Sequence, residues 1–336
     1  MLDIASVARL LEQPRKIVIT THHKPDGDAM GSSLGLYNYL IQQGHHAKVI
    51  TPSDYADFLN WMPGNEEVLI YTENTQLADT FIAEAEMIFC LDFNALSRIN
   101  AMEASVRASS AAKLMIDHHL EPEDFDDFRY WDINACATAQ LVYMFIADAL
   151  NNKALINKDV ATCLYTGILT DSASFKLPKT TAEVHIIAAE LINAGAVNWR
   201  INELVYNSSS ENRLRFLGNC LVNKLEVLNE YNTAIVSVTK AELEQYEVET
   251  GDTEGIVNYA LSISNVRLAA FIVERTDEVK LSLRSKGEFP ANEICKKYFA
   301  GGGHRNAAGG RSDEPLQAVI EKFKSILPDY KKLLIQ

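Results

Sequence analysis

The sequence lacks the features that mark secreted, membrane-spanning and disulfide-rich proteins. Its 336 residues include only five cysteines, widely separated and without a C-x-x-C pair, which disfavours a disulfide framework or a cysteine zinc site. No run approaches the length of a membrane helix, roughly 18 consecutive apolar residues. The N-terminus has no apolar segment followed by a small-residue cleavage site. We therefore expect buried, reduced thiols and a cytoplasmic protein that contacts no membrane.

Positive charge is also scarce. With 31 Lys and Arg against 45 Asp and Glu, the formal net charge is −14 at pH 7, so a broad basic surface for duplex DNA is not expected. An anionic substrate would have to be met locally, by metal ions and a few Arg or Lys side chains. This favours a small or short-chain phosphate ester over a long polymer.

Apolar periodicity predicts two α/β domains joined by helices. Over residues 1–197, short apolar runs such as Met87–Leu91 alternate with helical patterns, one of them at 92–106. This alternation predicts a doubly wound, mainly parallel sheet. Residues 198–228 are polar with a helical pattern and are interpreted as a connector. Residues 229–336 predict a smaller α/β domain with a mixed sheet.

Histidine and aspartate residues gather at the ends of the predicted strands and helices. The candidate ligands stand in THHKPDGDAMGSS, LDFN, IDHH and TGILTDS, and they are His22, Asp26, Asp28, Asp92, His118 and Asp171. An aspartate after a strand is by itself most often a helix N-cap, but ligands of parallel sheets bind beyond the carboxyl ends of the strands. The joint occurrence of these residues therefore indicates a metal site. His and carboxylate ligands suit borderline divalent ions, which lie about 3.5–4 Å apart in two-metal hydrolases.

A glycine-rich stretch near the C-terminus, GGGHRNAAGG at 301–310, is predicted to be a loop and is the second candidate site. Glycines let backbone N–H groups approach an anion, and His304 and Arg305 would add side-chain donors, with a bidentate contact open to the arginine. A flexible loop without a ligand is the alternative. Upstream, strand alternation places Arg284 on the polar face of a predicted strand, directly before Ser285.

The combined motifs resemble those of a known family. HHKPDGDAMGS, LDFN, IDHH and TGILTDS resemble the four motifs of the DHH phosphoesterase superfamily, and SLRSKG with GGGHRNAAGG resembles its DHH-associated C-terminal domain. The similarity extends over nearly the whole chain and is greatest to the stand-alone nanoRNase/pAp phosphatases, often labelled exopolyphosphatase-related. It implies two divalent ions, with Mn²⁺ as the expected metal and Mg²⁺ or Co²⁺ as alternatives. Six ligands would hold them: His22 and Asp26 on one ion, Asp28, His118 and Asp171 on the other, and Asp92 bridging both.

The resemblance also implies roles in catalysis and in substrate binding. His119 would face the scissile phosphate, Asp117 would support the triplet, and Asp92 would serve the reaction as the bridge between the ions that activate water. The C-terminal domain would bind the substrate through Arg284, Ser285, Gly302, Gly303, His304 and Arg305. The expected reaction is hydrolysis of short oligonucleotides or pAp to nucleoside monophosphates, at a site between the domains.

Other substrates and roles are compatible with the same residues. Within the same chemistry they include cyclic di-AMP or pApA, pyrophosphate and polyphosphate. A nucleotide-binding regulator without turnover is the alternative of another class. A processive single-strand exonuclease is disfavoured, because it would need a further domain and a basic, aromatic-lined groove. The expected partner is a short oligonucleotide or a mononucleotide bisphosphate, not duplex DNA, and a homodimer is left open.

Overall fold

A computed structural model of the protein describes residues 4–335. The chain divides into two units, Met1–Ser208 and Ser209–Gln336, and the division falls inside the predicted connector. All five cysteines are buried, free thiols, as predicted. Among the described residues, no helix is both long enough and apolar enough to cross a membrane.

The first unit is built on a parallel sheet of six strands. These are β1 (Lys16–Thr20), β2 (His46–Thr51), β3 (Leu69–Ile70), β4 (Met87–Leu91), β5 (Ala112–Asp117) and β6 (Phe128–Trp131). Their spatial order is β3-β2-β1-β4-β5-β6, and every neighbouring pair is parallel. The predicted parallel sheet is confirmed. The two edge strands, β3 and β6, escaped prediction because they are short and only partly buried, so neither carries a continuous apolar run.

Eight α-helices accompany this sheet in the described part of the first unit. They are α1 (Ile4–Leu10), α2 (Gly27–Gln42), α3 (Thr75–Glu84), α4 (Glu103–Ala108), α5 (Thr138–Met144), α6 (Lys158–Asp171), α7 (Ala182–Asn193) and α8 (Asn198–Tyr206). The prediction of one helix over 92–106 was wrong. Asp92 and Asn100 have left-handed backbone φ angles of 63° and 46°, which interrupt a right-handed helix. A 3₁₀ segment at Leu96–Met102 precedes α4 instead.

Alternating side chains of the central strands fill one core on each face of this sheet. Ile17 and Ile19 of β1 belong to the cluster that includes Leu34 of α2. Val18, between them, belongs to the opposite cluster with Ile88 of β4. Successive residues of a strand point to opposite faces, so a strand that is apolar at every position requires cover on both sides. That requirement explains the doubly wound arrangement.

The second unit contains a mixed sheet, as predicted. Its strands are β7 (Leu225–Leu228), β8 (Thr233–Val238), β9 (Leu268–Glu274), β10 (Val279–Ser285), β11 (Gly302–His304) and β12 (Ala307–Ser312). The order is β11-β12-β10-β9-β8-β7, with β8 and β9 parallel and the other pairs antiparallel. Its helices are α9 (Glu211–Asn219), α10 (Lys240–Gln245), α11 (Ile256–Leu261), α12 (Ala291–Tyr298) and α13 (Leu316–Leu334).

Two segments of the second unit differ from their predicted conformation. The connector was expected to be helical to residue 228, but its last four residues form β7, which pairs with β8. The glycine-rich stretch is not a loop but the hairpin of β11 and β12. Here the glycines allow close backbone contact, since a Cβ on Gly301 would lie 2.0 Å from the carbonyl oxygen of Gly309. A glycine-rich sequence lacks the β-branched residues that signal a strand, which is why the hairpin was missed.

Candidate metal centre

The candidate ligands of the first unit meet where the strand order of its sheet reverses. From β1 the sheet continues through β2 on one side and β4 on the other, and such a switch point leaves a crevice beyond the carboxyl ends of the strands. His22 follows β1, Asp92 follows β4 and His118 follows β5. The first turn of α2 carries Asp28, and the last residue of α6 is Asp171.

His22 and Asp26 form one side of the crevice. The Nδ1 atom of His22 lies 3.0 Å from the carbonyl oxygen of His23, so that nitrogen carries the proton. Its Nε2 atom then faces the cluster with a lone pair, 3.5 Å from Asp92 Oδ2 and 3.9 Å from Asp26 Oδ2. Asp26 caps α2, because its Oδ1 accepts hydrogen bonds from the backbone N–H groups of Asp28 and Ala29. Its other oxygen is thereby directed into the crevice.

His118 is oriented in the same manner on the other side. Its Nδ1 lies 3.1 Å from the carbonyl oxygen of Ala135, and a proton there leaves Nε2 as the ligand atom. Nε2 is 3.6 Å from Asp92 Oδ1, 3.6 Å from Asp171 Oδ2 and 3.9 Å from Asp28 Oδ2. The structure thus gathers three aspartates around one imidazole nitrogen.

The first turn of α5 fixes two of these carboxylates. Asp28 accepts hydrogen bonds from the backbone N–H groups of Thr138 at 2.6 Å and Ala139 at 2.9 Å. The Thr138 hydroxyl donates to Asp92 Oδ1 at 2.9 Å. Thr138 was not recognised in the sequence, because an ordinary threonine at the start of a helix carries no motif. Thr138 links Asp28 and Asp92 through these two hydrogen bonds, which form only in the folded chain.

Asp92 belongs to both halves of the cluster. Ligand atoms of His22, Asp26 and Asp92 lie within 4.8 Å of one another, and so do those of Asp28, Asp92 and His118. A carboxylate with one oxygen facing each group has the form of a bridging ligand. The left-handed backbone of Asp92 turns the chain sharply after β4, and strain of this kind is concentrated at functional sites.

The buried carboxylates of the cluster repel one another, and bound cations would relieve this repulsion. Burial, and then repulsion between neighbouring carboxylates, raises the pKa of Asp28 and Asp92 well above the usual range. Burial also lowers the pKa of His22 and His118, which favours neutral imidazoles able to act as ligands. Burial acts to raise the pKa of Asp26, but His22 and the capped N–H groups outweigh it and the pKa is lowered. Two divalent ions would neutralise the four carboxylates, so the residues fit the expected metals.

His119 and Asp117 form a hydrogen-bonded pair beside this cluster. His119 Nδ1 is 2.7 Å from Asp117 Oδ1 and 3.7 Å from Asp92 Oδ1. Burial lowers the pKa of His119 well below its usual value and raises the pKa of Asp117. A proton on Nδ1 shared with Asp117 leaves Nε2 as the second, unprotonated nitrogen of the ring.

Two cations near the cluster were missed in the sequence. Arg98 lies six residues after Asp92, its carbonyl oxygen accepts a hydrogen bond from His23 N at 2.8 Å, and its positive charge acts on His22, Asp92 and His119. Burial lowers the pKa of the half-buried Lys179, and the negative charge of Asp171 partly opposes this shift. Among the described residues neither side chain has a hydrogen bond or ion pair. The arginine of LDFNALSR was the available signal, because an arginine near acidic ligands is typical of phosphate sites.

The predicted substrate-binding residues of the second unit fall into two groups. Arg284 on β10 and His304 on β11 both lie opposite Ala307, one on each side of β12, which places them on one face of the sheet. The Ser285 hydroxyl is buried and donates a hydrogen bond to the Phe289 carbonyl. The Arg305 guanidinium binds both the backbone carbonyl and the side-chain carboxylate of Glu288. The glycines at 302 and 303 lie in β11, the latter with φ 131°.

Known proteins are similar to this chain in sequence and architecture. Residues 16–168 match the DHH family, N-terminal domain, and residues 231–331 match the DHHA1 domain. The bifunctional oligoribonuclease and PAP phosphatase NrnA of Thermus thermophilus is 32% identical over 330 residues, which cover 96% of this chain and 93% of that protein. NrnA of Bacillus subtilis is 28% identical, with coverage of 87% and 88%. The crystal structure of an exopolyphosphatase-related protein from Bacteroides fragilis is 42% identical, has a TM-score of 0.94 and is matched over 99% of this chain and 97% of that one.

Proposed function

The chain belongs to the DHH family, and from that membership we propose that it hydrolyses short oligoribonucleotides and pAp with two Mn²⁺ ions. Membership makes it a metal-dependent phosphoesterase. The substrates are those named for its NrnA relatives. The observation that carries the proposal is the position of Asp92, whose carboxylate contributes to two groups of metal-ligating atoms at the switch point of the sheet.

The two ions would be held by the six residues of the cluster. His22 and Asp26 contribute to the first position, and Asp28, His118 and Asp171 to the second. Asp92 contributes to both. When bound, two divalent ions supply Lewis acidity at phosphorus and lower the pKa of water. The backbone hydrogen bonds to Asp26 and Asp28 hold the two carboxylates in place before any ion binds.

The His119–Asp117 pair contributes a proton acceptor beside the ligands. Asp117 keeps the proton on Nδ1 of His119 through the 2.7 Å hydrogen bond, so Nε2 can accept a proton from the attacking water or a hydrogen bond from the substrate. Asp117→Asn would leave the shape of the pair intact and remove the charge that selects this tautomer. A large loss of kcat with an unchanged metal content would support the assignment.

Arg98 and Lys179 are the side chains we assign to the non-bridging oxygens of the reacting phosphate. Their charges act on different parts of the cluster, Arg98 on His22 and His119 and Lys179 on Asp171. Neither has a hydrogen bond or ion pair with another described residue, so their donors are available to an anion. Charge-assisted hydrogen bonds of this kind are roughly twice as strong as neutral ones.

Arg284 and His304 are the residues we assign to the remote part of the nucleotide. They share one face of the second sheet across Ala307, and the exposed Gly302 lies in β11, the edge strand of that sheet. Ser285 and Arg305 would serve this surface indirectly. The Ser285 hydroxyl accepts a hydrogen bond from the Asn306 side chain at the turn of the hairpin.

A product assay tests the proposal as a whole. The full chain is incubated with Mn²⁺ and, separately, pAp, RNA and DNA oligomers of two to five nucleotides, cyclic di-AMP, pApA and pyrophosphate. We expect nucleoside monophosphates from the short RNA and AMP from pAp. Turnover restricted to cyclic di-AMP or to pyrophosphate would reject the proposed substrates while leaving the phosphoesterase chemistry in place.

A further inference from the structure

A cavity of about 390 Å³ opens at one end of the sheet of the second unit. Its polar lining includes Arg267, Lys286, Asn232, Ser264 and Asn265. Arg267 directly precedes β9 and Lys286 directly follows β10. Two backbone hydrogen bonds join the rim, from Lys286 N to the Arg267 carbonyl at 2.9 Å and from Arg267 N to the Asn232 carbonyl at 2.7 Å. The backbones of Arg267 and Lys286 are therefore hydrogen-bonded neighbours, and both cationic side chains extend from this fixed pair.

Among the described residues that line the cavity, two are cationic and none is acidic. The Arg267 guanidinium has no hydrogen bond or ion pair with any residue in the described part of the chain. Within residues 4–335 the Lys286 ammonium makes one hydrogen bond, to the Ile263 carbonyl at 2.9 Å, so two of its three N–H donors are available to a ligand. In a chain with a net charge of −14, two unneutralised cations at one cavity are unusual and favour an anionic ligand.

A second cavity of the same unit shows the contrasting arrangement. It measures about 220 Å³ and is lined by Lys240 and Arg275, but also by Glu244 and Glu247. Lys240 Nζ lies 3.8 Å from Glu244 Oε1. Its cations are therefore balanced by carboxylates, and it provides a matched internal reference for the first cavity.

The chemistry of the first cavity suits a phosphate group on a nucleotide chain. A guanidinium presents a planar fork that matches two phosphate oxygens, and an ammonium adds a point charge. Lys286 lies two positions after Arg284, the spacing that places side chains on the same face of a strand. The cavity thus adjoins the surface that we assign to the remote part of the substrate.

We infer that Arg267 and Lys286 bind a phosphodiester of the oligonucleotide beyond the phosphate held at Arg284. The inference rests on the proposed function and adds a subsite to it. Oligomers of four or more nucleotides have a third phosphodiester for this subsite, whereas pAp has only two phosphates and none remains for it. The subsite therefore raises the specificity for oligomers relative to pAp.

The test compares Arg267→Gln, Lys286→Gln and the control Arg275→Gln in the full chain. For each protein, kcat/KM is measured on a pentaribonucleotide and on pAp with Mn²⁺. We expect kcat/KM on the pentaribonucleotide divided by kcat/KM on pAp to fall about 10-fold for Arg267→Gln and for Lys286→Gln, because each variant loses one phosphate contact. The control keeps the wild-type ratio. An unchanged ratio in both variants overturns the inference.

A binding measurement separates this inference from the proposed function. Fluorescence anisotropy of a labelled pentaribonucleotide is recorded at several salt concentrations in EDTA, where no turnover occurs. Each subsite variant should bind about 10-fold more weakly, with a slope of log K against log salt that is shallower by roughly 0.7. Wild-type binding without hydrolysis under any metal condition would reject the proposed function alone. Variants that alter inhibition by AMP but not oligomer binding would assign the cavity to a mononucleotide and overturn the inference.

Discussion

Helices α2 and α6 pack so closely that one added methyl group at Gly31 should force them apart. Gly27, Gly31 and Gly35 stand four residues apart and share one face of α2. A Cβ on Gly31 would lie 2.6 Å from the carbonyl oxygen of Cys163 and 2.7 Å from the backbone nitrogen of Gly167. Both are main-chain atoms of α6, which cannot rotate away as a side chain would.

The expected cost follows from these distances. Favourable contacts begin near 3.5 Å, so α6 would have to move by roughly 1 Å. Overpacking of a core costs about 1–3 kcal/mol, and the upper part of that range applies because the neighbours are backbone. Replacing a helical glycine by alanine gains about 1 kcal/mol of helix propensity. We therefore expect Gly31→Ala to lower the free energy of unfolding of the first unit by roughly 1–2 kcal/mol.

Gly218 provides the matched control. It lies in α9 of the second unit, is exposed, and has no atom within 4 Å of a Cβ placed on it. The same substitution there removes backbone entropy from the unfolded chain and meets nothing in the folded one. Gly218→Ala should raise the stability of the second unit by roughly 0.5–1 kcal/mol.

The tryptophans allow the two units to be followed separately. All three, Trp61, Trp131 and Trp199, lie in the first unit. In a urea titration, tryptophan fluorescence therefore reports the first unit, while far-UV circular dichroism reports both. With an m value of about 2–3 kcal/mol/M, the fluorescence midpoint of Gly31→Ala should fall by roughly 0.3–1 M. The fluorescence midpoint of Gly218→Ala should match that of the wild type.

The same perturbation should reach the metal centre. Asp28 lies in the first turn of α2 and Asp171 ends α6, so separating the helices separates two candidate ligands. Gly31→Ala should therefore bind Mn²⁺ more weakly than Gly218→Ala. If the fluorescence midpoint of Gly31→Ala is equal to or above that of the wild type and its Mn²⁺ affinity is unchanged, the close packing of α2 against α6 does not position these aspartates.

Four further outcomes test the site. Asp92→Asn should abolish turnover and bind fewer than two Mn²⁺ per chain by metal analysis, whereas the exposed Asp124→Asn should preserve both; full activity of the first variant would reject the bridging role. Arg98→Gln should lower kcat/KM roughly 10- to 100-fold on pAp and oligomers alike, since a hydrogen bond to a charged group is worth about 1.5–3 kcal/mol. Arg107→Gln, a surface arginine of α4, is its control, and equal losses in both would count against a phosphate contact. Mn²⁺ at 100 times its Kd should add about 2.7 kcal/mol of stability, visible as a higher tryptophan-monitored Tm that EDTA reverses; a Tm indifferent to EDTA would argue against ions in this cluster. Initial rates, compared at the same molar concentration of oligonucleotide ends, should fall steeply from oligomers of two to five nucleotides to oligomers of about twenty. The fall should be smaller at higher salt, because salt screens the repulsion between the acidic protein and a long polyanion. Rates that do not depend on length, with processive trimming, would favour an exonuclease.

Local patterns in the sequence were sufficient to predict the parallel sheet and the position of the candidate metal centre. Apolar runs such as Met87–Leu91 are local signals, since a strand buried on both faces must be apolar at every position. The ends of such strands meet at one edge of the sheet, so His22, Asp92 and His118 could be predicted to converge. Local periodicity also predicted the mixed character of the second sheet.

How the converging groups face one another depends on contacts between distant parts of the chain. The backbone N–H of Thr138 that holds Asp28 comes from a residue 110 positions away, and no local pattern records such a contact. The same applies to Arg98, whose backbone is joined to the segment after β1, and to the cavity lined by Arg267 and Lys286. The glycine-rich hairpin was mistaken for a loop because glycine signals conformational freedom, whereas here it permits close contact between strands. Periodicity acts over a few residues and specifies elements, but side-chain partners are selected by packing between elements far apart in the chain.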